Sequence, residues 1–91
     1  NINNTIDMLK EKGLWIAGAD MDGDQLYFEV DLKGSTALVI GSEGEGLRRL
    51  VKEKCDFLLR IPMPARLGSL NASVAAGVLI YETLRQRYHQ K

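Results

Sequence analysis

The stretch Thr36–Tyr81 constrains the fold more than any other part of the chain, because it carries one pattern twice. An apolar run, TALVI, ends in a glycine-rich acidic loop and leads into a basic segment with helical spacing. A second run, DFLLRI, ends in Pro-Met-Pro, a small-residue loop and a long apolar helix pattern. TALVI does not alternate, which suits a strand covered on both faces of a parallel sheet. Strand, helix and strand within residues 36–61 predict a right-handed parallel crossover. Pro62 and Pro64 lack the amide that a helix or a ladder needs, so the chain is expected to leave the sheet there. Both loops then leave two neighbouring strands at one end, the end at which open parallel sheets bind ligands.

The remaining elements follow from local signals. Asn3 or Asn4 is placed to cap a helix over Thr5–Lys12, with Ile6, Leu9 and Met8 inward and Gly13 ending it. Leu14–Ala19 reads as a strand, and Leu26–Val30 as a short strand or an irregular packed segment. Between them, Asp20, Asp22 and Asp24 mimic the first ligands of a calcium loop. Gln25 stands where that loop needs glycine and Asp31 where it needs glutamate, so a solvated turn is the better reading. Ser42 and Glu45 have capping-box spacing, which starts the next helix inside the glycine-rich loop. Its core side is Leu47, Leu50, Val51 and Cys55, with Arg48, Arg49, Lys52 and Lys54 turned away. Asp56–Ile61 is a strand, and a last helix runs from Leu70 or Asn71 to Arg87 with His89 solvated beyond it. The apolar first half of that helix requires either deep burial or a surface split between core and partner.

Composition excludes several classes. Ninety-one residues, 45% apolar and 26% charged, describe one small folded domain. Twelve basic residues balance twelve acidic ones, so any nucleic-acid contact must rest on a local patch. Cys55 is alone, which rules out an internal disulfide and points to a reducing cytoplasm. No apolar stretch is long enough to span a bilayer, so no membrane partner is expected.

Gly41, Gly44 and Gly46 would let backbone approach a ligand, beside the amides of a helix N-terminus. Their G-x-x-G-x-G spacing is neither the dinucleotide fingerprint nor a phosphate loop, and a tight strand-to-helix turn with spare glycines stays open as the lesser alternative if the loop is taken alone. The second loop adds what the first lacks. LVIGSEGEGL resembles the second motif, and IPMPARLGSLNASVAAGVLIYE the third, of the SpoU/TrmH branch of the SPOUT RNA methyltransferases. The similarity is greatest to bacterial 2′-O-ribose methyltransferases of large-subunit (23S) ribosomal RNA. It is strong over Thr36–Arg87 and weak elsewhere.

The resemblance implies an α/β fold, a mostly parallel sheet flanked by helices, with a deep C-terminal trefoil knot. It implies S-adenosylmethionine as cofactor, RNA as partner, a homodimer and no metal. Gly41, Ile61 and Leu70 match positions whose backbone holds adenine and ribose, with Gly44 and Met63 beside them in the same loops. Glu43, Ser69 and Asn71 match the polar residues of the catalytic centre, and Arg48 and Arg66 are placed to meet RNA phosphates. Each has a plainer alternative: Glu43 suits a helix N-terminus, Ser69 or Asn71 a helix cap, Ile61 and Leu70 the core. The family's first motif, of N-x-G-x-x-x-R type and bearing the proposed base, is absent from the sequence. Ala65 stands where the family usually has glycine, with Gly68 nearby. The chain is therefore expected to be the cofactor-binding C-terminal part of a catalytic domain, inactive alone, with the first strands and the base upstream. A tRNA ribose methyltransferase, a non-catalytic nucleotide-binding module and a dimerisation domain remain as alternatives. Gly41→Val is expected to block the cofactor while sparing the fold.

Overall fold

A computed structural model describes residues 1–42, 44–63 and 71–89. Helix α1 (Ile2–Glu11) leads into strand β1 (Trp15–Ala19), the two-residue strand β2 (Gln25–Leu26) and a single 3-10 turn over Tyr27–Glu29. Strand β3 (Thr36–Ile40), helix α2 (Arg49–Lys54), strand β4 (Phe57–Arg60) and helix α3 (Ala72–Tyr88) complete the order.

The sheet is parallel throughout, in the order β2-β4-β1-β3. Strand β1 is its centre, pairing Trp15–Ala19 with Thr36–Ile40 on one side and Ala17–Ala19 with Phe57–Leu59 on the other. The crossover from β3 through α2 to β4 therefore passes over β1. This corrects the expectation that the two loop-bearing strands are neighbours.

Alternation along the strands feeds two apolar layers. Ile16 packs with Ile6 of α1 and with Leu47 and Val51 around α2, while the adjacent Ala17 packs with Leu59, Val30, Leu32 and Leu79 of α3. In β3, Ala37 and Val39 join the first layer, and Leu38 and Ile40 the second. The continuous apolar run is thus covered on both faces, as its pattern predicts. It is only half-buried because β3 lies at the edge of the described strands.

Several boundaries shift. Helix α1 begins at Ile2, capped by the Asn1 side chain rather than by Asn3 or Asn4, because Asn1 Oδ1 accepts from Asn3 N at 2.8 Å. Met8 is 45% exposed and stands off the core side. Leu50 is likewise exposed, against its expected place on the core side, and Val51 is the buried residue of α2. In α3, Leu79 is fully buried, whereas Val74, Ile80, Tyr81, Leu84 and Tyr88 are exposed, so the helix surface is split. The knot expected from the resemblance falls on residues 64–70, which lie outside the described residues.

Candidate functional site

Three parallel strands end together, and the chain turns sharply after β1 and after β3. After β1, Asp20 N donates to Leu59 O at 2.9 Å and Gly23 N to Asp20 O at 3.0 Å, tying the Asp20–Asp24 turn to β4. Arg60 Nε donates to Gly23 O at 3.2 Å and holds the same turn from β4. After β3 the chain folds back on itself: Ser42 and Gly46 form an antiparallel bridge, with Gly46 N donating to Ser42 O at 2.9 Å.

That bridge overturns the capping box expected of Ser42 and Glu45. Gly44 and Gly46 have φ of +88° and +71°, values a right-handed helix cannot contain. Helix α2 therefore starts only at Arg49, without a side-chain cap, and its amides do not adjoin the glycines. The need for glycine at 41 also differs from expectation. A Cβ there would press into the Gly46 carbonyl and stand 2.7 Å from Leu47 N, so it would meet the loop's own backbone. Gly41→Val would deform the turn, and its effect cannot be confined to a ligand.

The strand ends enclose a cavity of about 320 Å3. Ile40, Leu59, Ile61 and Met63 form an apolar floor, and Ala72 and Ala75 of α3 close one side. Asp20, Asp22, Ser42, Glu45 and Lys52 give the rest a polar wall. Of the cofactor positions read from the sequence, Gly41, Gly44, Ile61 and Met63 all line this cavity. Leu70, Glu43, Ser69, Arg66, Ala65 and Gly68 lie outside the described residues. Asn71 caps α3, its Oδ1 accepting from Val74 N at 2.8 Å, and does not line the cavity. Arg48 is exposed ahead of α2, also away from the cavity.

Sequence reasoning missed the contribution of β1. Ala19, Asp20, Met21 and Asp22 line the cavity because β1 lies between β3 and β4. The signal was present in the strand-then-turn pattern LWIAGADMDGD, but adjacency in the sheet is not written in the sequence. Cys55 is no part of the site. Its half-buried Sγ donates to Val51 O at 3.2 Å, and burial foremost, with Asp56 beside it, pushes the thiol above its ordinary range. Among the described residues, no three His, Cys, Asp or Glu side chains are grouped to hold a metal ion. No described helix is long and apolar enough to cross a membrane.

Residues 1–81 match the SpoU rRNA Methylase family. The chain belongs to this family. It is 49% identical over 87 residues to the 23S rRNA (guanosine-2′-O-)-methyltransferase RlmB of Pseudomonas aeruginosa, covering 96% of this chain and 35% of that protein. A solved RNA 2′-O ribose methyltransferase superposes with a TM-score of 0.86 at 38% identity, over 92% of this chain and 33% of the other. The SpoU methyltransferase AviRb of Streptomyces viridochromogenes, solved with S-adenosylmethionine (AdoMet), superposes with a TM-score of 0.84 at 33% identity, over 99% and 35% of the two chains. The chain thus spans about a third of the length of its relatives. The fold class implied by the two motifs, a parallel sheet flanked by helices, is the one these relatives share.

The cavity fits the family's cofactor. Its volume lies within the range of small-molecule sites, about 300–1,000 Å3. An apolar floor beside a polar wall matches a flat base joined to a charged amino-acid tail.

Proposed function

We propose that the protein containing this chain methylates a ribose 2′-hydroxyl of large-subunit ribosomal RNA, and that these 91 residues carry its S-adenosylmethionine pocket. The observation supporting this is the cavity itself: both family motifs reach it, from β3 through Gly41 and Gly44 and from β4 through Ile61 and Met63. When bound, the cofactor supplies an electrophilic methyl on a sulfonium, which needs in-line attack and no metal. Ile40, Leu59 and Ile61 bury the apolar part of the cofactor and exclude water from it. Gly41, with Ile61 and Leu70, brings backbone against the adenosine, Met63 lies beside them, and the Ser42–Gly46 bridge fixes the backbone at Gly41 in advance. Glu43 and Ser69 serve the catalytic centre, Asn71 caps the helix that closes one side of the pocket, and Arg48 and Arg66 hold RNA phosphates.

The general base lies outside these residues. The sequence contains no N-x-G-x-x-x-R pattern, and the relatives are about three times as long. The outer edge of β3, unpaired among the described residues, is where further strands would extend the sheet. Incubating the intact protein with methyl-labelled cofactor and unmodified large-subunit rRNA tests the reading. Label on one ribose 2′-oxygen is expected; label on tRNA alone would favour the tRNA alternative, and label on bases or on neither RNA would overturn the proposal.

A further inference from the structure

The polar wall of the pocket carries an imbalance of charge that the proposed chemistry does not yet use. Among its described residues Asp20, Asp22 and Glu45 are acidic and only Lys52 is basic. Asp20 differs from the other two acids in being held and shielded. Its side chain is 10% exposed, whereas Asp22 and Glu45 are open to solvent. Its backbone is pinned on both sides by the Leu59 and Gly23 hydrogen bonds. Oδ2 stands 3.5 Å from Lys52 Nζ. Oδ1 faces the glycine-rich loop, 3.6 Å from where a Cβ on Gly46 would sit, and makes no hydrogen bond to a described residue.

A shielded carboxylate with one paired and one open oxygen contributes negative potential to the pocket, because a single ammonium at this distance compensates it only in part. S-adenosylmethionine and S-adenosylhomocysteine differ in one respect that such a potential can read. The first carries a permanent positive charge on sulfur; the second, left once the methyl has gone and the S–C electron pair has stayed on sulfur, is a neutral thioether. We propose that Asp20 is a specificity-determining residue that makes the pocket prefer the charged cofactor over its demethylated product, with Lys52 limiting that preference. Release of product is favoured by the same term. The inference rests on the cofactor reading above.

Calorimetric titration of the intact protein with each ligand tests it, using the wild type, Asp20→Asn and Lys52→Met. Asp20→Asn should weaken S-adenosylmethionine about three- to tenfold more than S-adenosylhomocysteine. Lys52→Met should move the preference the other way, toward S-adenosylmethionine. A pair that merely braced β1 against α2 would instead weaken both ligands alike in both variants. Unchanged preference, or a shift in the same direction in both variants, overturns the inference while leaving the cofactor reading intact. Binding of neither ligand by the wild type would overturn both.

Discussion

Gln86 should be among the costliest side chains to remove outside the apolar core. It is buried in α3, with Oε1 accepting from Leu32 N at 2.7 Å and Nε2 donating to Val30 O at 2.9 Å and to Glu82. Gln86→Leu would leave two buried backbone groups unpaired, and a loss of about 3 kcal/mol in chemical denaturation is expected. The exposed Arg49–Glu53 pair, by comparison, should contribute about 0–1 kcal/mol. The Arg85 hydrogen bonds hold the neighbouring Glu82 carboxyl below its usual range, with Gln86 adding to the effect against burial. A lowered folded pKa stabilises above the unfolded value and is lost as pH falls through the folded one. The advantage of wild type over Glu82→Gln should therefore shrink below about pH 4 in a denaturation series. None of this was legible in the sequence, where RQR reads only as the polar end of the last helix. The partner backbone is 54 residues away, and no periodicity announces that return. Gly41 was legible as a requirement for glycine but not in its cause. Gly41→Ala should lower the melting temperature as well as cofactor affinity, because its Cβ meets Gly46 and not only a ligand.

Elements were read well where one physical rule decides them. TALVI is β3 residue for residue, and β1 and β4 lie within one residue at each end of the expected strands. Asn71 and the apolar run after it gave α3 to within a residue at its far end. Glycine decided where the reading failed. A pattern of apolar spacing cannot show that Gly44 and Gly46 take positive φ, so α2 was started too early. Strand order failed for another reason: it is settled by which sheet edge a crossover reaches, a tertiary choice. Helix α3 also supports a prediction at this scale. Val74, Gly77, Tyr81, Leu84 and Tyr88 recur at alternating steps of three and four, and all five are exposed. That spacing makes one apolar stripe fit to pack against a second copy, with Gly77 allowing close approach. The intact protein should sediment as a homodimer at micromolar concentration and Tyr81→Glu as a monomer. A monomeric wild type would contradict the assignment.

At the scale of the whole molecule, the chain is a sheet whose strand ends converge on one pocket, with no pattern for the general base anywhere in its sequence. These 91 residues alone should give no detectable methyl transfer to rRNA beside the intact protein, since general-base help is worth about a hundred- to ten-thousand-fold. Turnover by the chain alone near that of the intact protein would place the base inside it. In the reading proposed above, the ends of β1, β3 and β4 and the start of α3 bind S-adenosylmethionine as one site. Amide hydrogen exchange of the intact protein with and without the cofactor tests it most directly. Slowed exchange should appear together at residues 19–22, 41–46, 61–63 and 72–75. Protection confined to one of these segments, or gathered instead around Tyr27 and residues 77–82, would contradict it.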